Sequence, residues 1–292
     1  MEKKESLATY QAVRTILDAR GLAPKKNYGQ NFLTDSFVLD KIVSAAGITK
    51  DALAIEIGPG LGALTAELAA RAGKVLAVEI DASLIPVLHE TLAEYDNVRI
   101  VNADVLKLDL GALVAEENMK TAHLVANLPY YITTPIVFHV LENKLPIESM
   151  TVMVQKEVGE RMRAKPSTKA YGAITVCIQY YAEVSLVANV PSNCFYPRPG
   201  VDSAVVKFSL LPAPCVTVTE EAYFFTLVHA AFSMRRKTLV NCLAACDGLG
   251  VGKAAVAEAL AVCGLSESVR GEALDIYEFA KLTEVLYGQR QN

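Results

Sequence analysis

Residues 53–65 read LAIEIGPGLGALT, an apolar run that gives way to three glycines within five residues and then to a helical pattern. Gly58, Gly60 and Gly62 end a buried strand and open a helix, and without side chains they let the backbone turn sharply and approach a ligand closely. The spacing is GxGxG, not the GxGxxG of dinucleotide sites. Glu56 stands just before the turn, where a carboxylate suits an ammonium group better than it suits a pyrophosphate.

Outward from this unit, short β-branched runs alternate with helical stretches from about Asp51 to Leu211. The runs are LAIEI (53–57), VLAVEI (75–80), VRIVN (98–102), HLVANL (123–128), MTVMVQ (150–155), AEVSLVANV (182–190) and SAVVKFSLL (203–211). Amphipathic stretches such as Leu64–Arg71 and Leu84–Tyr95 lie between them, a rhythm that predicts βαβ units and a seven-stranded, mainly parallel sheet. Only VPSNCFYPRPGVD separates the last two runs, too short for a helical crossover, so they are expected to be antiparallel. After LLPAP (210–214) the pattern turns helical over Glu220–Phe232, Arg235–Cys246, Lys253–Val262 and Ile276–Leu286. The expectation is an α/β domain over 1–212 and a small all-helical domain over 213–292. Ahead of the first strand the pattern gives helices over Ser6–Ala19 and Ser36–Ala46, with Ser36 as N-cap, and a basic turn at 23–27 between them.

Composition bounds the function classes. A chain of 292 residues, 52% of them apolar, buries a large core. Its richest apolar stretch, Ala173 to Val190, is broken by Gln179 and Glu183 and falls short of the roughly 20 apolar residues of a spanning helix. The start, MEKKESLATY, has no apolar export core, so a cytoplasmic, non-membrane protein is expected. Six cysteines without CxxC spacing and four scattered histidines argue against a zinc site or a disulfide framework, and no metal is expected. Acids outnumber bases 32 to 28, so any polyanion must be met by a local basic patch. A monomer is expected.

Candidate site residues fall at successive strand ends. Glu79 closes the second strand, where a carboxylate accepts both hydroxyls of a ribose, and Asp104, just after the third, suits the amine of an adenine. Either acid alone also fits a solvated loop; together with the glycines they line the carboxyl edge where such sheets bind ligands. The fourth strand ends in Asn127-Leu128-Pro129-Tyr130. An exocyclic adenine amine is a poor nucleophile because its lone pair is delocalised into the ring. Two acceptors, the Asn127 side-chain oxygen and the Leu128 carbonyl, would localise that lone pair toward a sulfonium methyl. Pro129 fixes the turn and Tyr130 offers a stacking face. A second aromatic, Phe195 in NCFYPRPGVDS (193–203), either closes over a base opposite Tyr130 or plugs the sheet edge.

The strings NYGQNFL (27–33), EIGPGLG, NLPY, FYPRPGVDS and FSMRRKTLVNCL (232–243) resemble those of the ribosomal small-subunit adenine dimethyltransferases, the KsgA type. The resemblance implies a Rossmann-like fold. It implies transfer of methyl groups from S-adenosylmethionine to two adjacent adenines in a hairpin near the 3′ end of 16S ribosomal RNA, two per adenine. It also implies that Asn31 and Leu33 close over the cofactor, with Gly58, Glu79, Asp104 and Asn127 at the family's other cofactor positions. Two alternatives stay open, a 23S ribosomal RNA adenine methyltransferase of the macrolide-resistance type and a ribosome assembly factor without turnover. Candidate RNA contacts are Lys25 and Lys26, Arg161 with Arg163, Lys165 and Lys169, Arg198, and Arg235, Arg236 and Lys237, the last three read as lying on one helix.

Overall fold

The structure, a computed structural model, describes residues 6–234 and 236–291. In chain order its elements begin α1 (Tyr10–Ala19), β1 (Phe32–Leu33), α2 (Ser36–Ala46), β2 (Ala52–Ile57), α3 (Ala63–Arg71), β3 (Lys74–Glu79) and α4 (Ile85–Thr91). They continue through β4 (Val98–Asn102), α5 (Leu110–Glu116), β5 (Thr121–Asn127), α6 (Thr133–Glu142), β6 (Ser149–Gln155), α7 (Lys156–Met162) and α8 (Ala173–Tyr181). The remainder are β7 (Ala182–Val190), β8 (Phe195–Tyr196), β9 (Ser203–Leu210), α9 (Glu221–Phe232), α10 (Leu239–Ala244), α11 (Lys253–Cys263) and α12 (Ile276–Gln291).

Seven strands form one sheet in the order β4-β3-β2-β5-β6-β9-β7. The pairs β3–β4, β2–β3, β2–β5 and β5–β6 are parallel, and β9 runs antiparallel to β6 with Ser203 opposite Gln155. Every residue of β2 is buried, as an apolar strand covered on both faces requires. Edge strand β4 is only partly buried. The chain moves outward from β2 to β4 and returns to β5 on the other side of β2, so the strand order reverses there. Such a switch point opens a crevice beyond the carboxyl ends of the strands, where Gly58 follows β2 and Asn127 ends β5. A second, two-stranded antiparallel sheet pairs Phe32 with Tyr196 and Leu33 with Phe195. Neither segment is among the seven strand runs of the sequence, because two residues are too few to set a period.

Helix boundaries differ from the sequence expectation where capping chemistry decides them. Asp35, not Ser36, caps α2, its carboxylate accepting from the amides of Phe37 and Val38. Thr9 caps α1, which therefore starts at Tyr10 and not at Ser6. Helix α10 starts at Leu239, so Arg236 and Lys237 precede it and are exposed, while Arg235 lies outside the described residues.

The chain divides into two compact units, Met1–Gly159 with Val184–Leu210 and Glu160–Glu183 with Leu211–Asn292. The stretch 160–183, which the sequence places in the first domain, clusters with the helices. Tyr180 packs its ring on Phe224 and Phe225 at 5.3 and 5.1 Å, and the Tyr171 hydroxyl donates to the Leu274 carbonyl at 2.8 Å. These aromatic anchors are spread over about a hundred residues of sequence, so no local pattern reveals them. Among the described residues no helix is long and apolar enough to cross a membrane.

Candidate active site

The turn after β2 is built for close approach. Gly58 and Gly60 both hold left-handed backbone, at φ of 73° and 60°. A Cβ at Gly58 would have nothing within 4 Å, so the main chain there opens onto a cavity, whereas one at Gly60 would sit 3.2 Å from the Phe32 ring. Glu56, Gly58, Gly60, Glu79, Asp104, Asn127, Leu128, Pro129 and Tyr130 all line that cavity, together with Asn31 and Leu33.

Two carboxylates dominate its electrostatics. Glu56 is 1% exposed, and its Oε2 accepts no hydrogen bond from the described residues. Burial pushes its carboxyl up to about 8, with the Thr65 hydroxyl opposing the shift and the nearby Glu79 charge adding to it. A buried carboxyl oxygen on a cavity wall with no partner among the described residues is the feature a cationic ligand group would complete. Glu79 is also raised by burial, but each of its oxygens accepts one main-chain bond, Oε2 from Gly60 N at 3.2 Å and Oε1 from Asp81 N at 2.8 Å, and keeps a further lone pair. Asp104 begins a short 3-10 turn, accepting from Leu106 N at 3.1 Å, and keeps part of its carboxylate exposed.

Opposite these acids, the NLPY turn ends β5. The Asn127 amide nitrogen donates to the Asn31 carbonyl at 3.1 Å. Only the nitrogen of an amide can donate, so this bond leaves the Asn127 oxygen as the free acceptor. The Pro129 carbonyl accepts from Ile132 N and Thr133 Oγ1, both at 3.2 Å, which fixes the turn onto α6. The Tyr130 hydroxyl bonds the Ser203 hydroxyl at 2.7 Å, and burial raises its pKa. Tyr131, 58% exposed, also lines the cavity.

Phe195 is the expected site residue that the structure moves elsewhere. Its side chain is 4% exposed and packs in a core cluster with Ala8, Leu33 and Val38, and it does not line the cavity. Pairing with Leu33 in the two-stranded sheet turns Phe195 inward, and strand alternation sends the next residue, Tyr196, to the opposite side against Arg14 and Tyr10. Of the two sequence readings, the plug is what the backbone builds. Arg198 is exposed, with its Nε donating to Ser192 Oγ at 3.0 Å. Arg161, Arg163 and Lys165 are exposed in the helical unit. Sequence reasoning missed Ser203 beneath Tyr130 and the Asn31 carbonyl behind Asn127. Those partners lie 73 and 96 residues away, and only the fold brings them together.

The family model described as ribosomal RNA adenine dimethylase matches residues 21–278. Ribosomal RNA small subunit methyltransferase A of Geobacillus thermodenitrificans is 50% identical over 287 residues, 97% of each chain. The protein of that name from Bacillus mycoides is 48% identical over 285 residues, 97% of this chain and 98% of the other. Among solved structures, a dimethyladenosine transferase from Plasmodium falciparum matches with a TM-score of 0.74 at 27% identity, covering 86% of this chain and 95% of the other. The 23S rRNA methyltransferase ErmE matches with a TM-score of 0.67 at 28% identity, covering 88% and 100%.

Proposed function

The chain belongs to the ribosomal RNA adenine dimethylase family, and from that premise we propose which RNA it modifies and how its pocket does so. It is an S-adenosylmethionine-dependent ribosomal RNA adenine dimethyltransferase. The proposed substrate is the pair of adjacent adenines in the 3′-terminal hairpin of 16S ribosomal RNA, each dimethylated on its exocyclic amine, within the small subunit or its precursor. The proposed setting is the cytoplasm, the proposed state a monomer, and the proposed transfer needs no metal. The small-subunit relatives support this over a 23S target, being 48–50% identical across nearly the whole chain against 28% for ErmE.

S-adenosylmethionine, when bound, supplies a methyl group on a positively charged sulfur, already electrophilic without further activation. In this reading Glu56 receives the ammonium of the donor's amino-acid end, and Gly58 and Gly60 let the backbone approach it. Glu79 accepts the ribose hydroxyls and Asp104 the amine of the donor's adenine, while Asn31 and Leu33 cover it. The Asn127 oxygen and the Leu128 carbonyl accept the two hydrogens of the target amine and localise its lone pair, and Tyr130 stacks on the base. The amine becomes acidic as it is methylated, so its proton passes to solvent with no strong general base. Alignment of this kind removes roughly 7–11 kcal/mol of barrier. Arg161, Arg198, Arg236 and Lys237 are proposed phosphate contacts, and residues 213–292 are proposed to contribute to RNA recognition.

One observation carries the reading: the bond from Asn127 to the Asn31 carbonyl frees the amide oxygen for an incoming amine. Asn127→Ala should keep donor affinity by calorimetry and lose most transfer of tritiated methyl groups to purified small subunits. A variant that methylates at nearly the parental rate refutes the role.

A further inference from the structure

Asp81, two residues beyond Glu79, is a buried carboxylate that does not line the cavity. It is 3% exposed, and its oxygens are fully engaged. Oδ1 accepts from Lys25 Nζ at 2.7 Å and from the Ser83 hydroxyl and amide at 2.7 and 3.1 Å. Oδ2 accepts from Gln30 Nε2 at 2.8 Å, and the Asp81 amide donates to Glu79 Oε1 at 2.8 Å. The Gln30 Oε1 accepts from the Lys25 amide at 2.8 Å, which closes a ring of Lys25, Gln30 and Asp81. The Asp81 carboxyl is held below the ordinary aspartate value, the bonds from Lys25, Ser83 and Gln30 outweighing burial. Burying a charge is costly, and stability alone is a weak reason to keep one.

The segment this ring ties down runs to the acceptor site. Between Lys25 and Asn31 the chain makes a 3-10 turn and reverses at Gly29, whose Cβ position lies 3.3 Å from Pro129 and 3.4 Å from the Tyr131 ring. Asn31 then donates to the Gly29 carbonyl at 2.9 Å and offers its own carbonyl to Asn127. Asp81 therefore touches the donor acid Glu79 on one side and, through residues 25–31, fixes the carbonyl that orients Asn127 on the other. We infer that Asp81 and Lys25 are positioning residues, forming a latch that holds segment 25–31 closed over the NLPY turn and couples the donor site to the acceptor amide. The inference rests on the proposed roles of Glu79 and Asn127.

The test uses the 292-residue chain and variants at Asp81 and Lys25. Asp81→Asn keeps the shape and removes the charge; Lys25→Met removes the cation from a side chain that is partly exposed, so its fold is retained even where Asp81→Asn misfolds. Expected for Lys25→Met are faster hydrogen exchange of amides 25–31 in the free protein and a roughly tenfold or greater loss of donor affinity, as a charge-assisted bond contributes. Turnover at saturating donor should also fall, because Asn127 loses its fixed orientation, and Lys25→Arg should restore all three. Exchange, affinity and turnover at parental values in Lys25→Met would overturn the latch, as would Lys25→Arg behaving like Lys25→Met. An Asn127→Ala variant with parental activity would instead overturn the active-site reading beneath it, and the exchange measurement on the free protein judges the latch separately.

Discussion

Replacing Glu56 by Gln removes one titration from the core and keeps its shape. Glu56 is raised from 4.5 to about 8 in the folded protein, so the folded state binds this proton more tightly than the unfolded state does. A carboxyl raised in this way contributes its stability in full below pH 4.5 and loses it as the pH climbs to about 8. The difference of about 3.5 in pKa, at about 1.36 kcal/mol each, makes the whole loss about 5 kcal/mol, of which about half falls between pH 5 and pH 7. Urea unfolding of the parent and of Glu56→Gln across pH 5 to 8 should therefore show the parent losing stability relative to the variant as pH rises. Donor binding supplies a second reading of the same group. If the ammonium of the donor meets Glu56, the carboxyl must ionise on binding. Calorimetry in two buffers of different ionisation enthalpy should then find about 0.9 more protons released by the parent than by the variant at pH 7. Parallel pH profiles of stability, with equal proton release, would refute both the raised pKa and the placement of the ammonium.

Three further outcomes follow from individual side chains. Asp35→Ala removes the α2 cap and should cost about 1 kcal/mol in equilibrium unfolding; no loss would mean that the carboxylate bonds to Phe37 and Val38 contribute nothing. Ser203→Ala leaves the Tyr130 hydroxyl without its 2.7 Å partner and should lower turnover several-fold while donor affinity stays unchanged, with Ser203→Thr closer to the parent; equal turnover in all three would remove Ser203 from the positioning of the ring. Charge reversal at Arg236 and Lys237, both exposed, should weaken subunit binding and reduce the salt slope by roughly 0.7–0.9 for each phosphate that is no longer neutralised; an unchanged slope would show that the RNA lies elsewhere.

The strand-and-turn rhythm was legible from sequence because each signal is local. A strand of period two or an unbroken apolar run, a glycine turn and an acid at a strand end are properties of neighbouring residues. The seven strands, the glycine cavity and the grouping of Glu79, Asp104 and Asn127 along one edge followed from them. The fate of Phe195 was not legible. Its motif fits a clamp and a plug equally, and pairing with Leu33 across 162 residues of chain chose the plug. Nor could Arg236 and Lys237 be placed, since the first turn of α10 begins only at Leu239.

Sequence by itself therefore determined the kind of chemistry, because a methyl donor and an amine acceptor impose residue types at strand ends. Tertiary structure alone decided the orientation of that chemistry. Which way the Asn127 amide faces is set by the Asn31 carbonyl, what steadies Tyr130 is the Ser203 hydroxyl, and what closes the segment between is Asp81 gripping Lys25 and Gln30. Hydrogen bonds are short-ranged and directional, so partners tens of residues apart acquire meaning only once the sheet has brought them within about 3 Å.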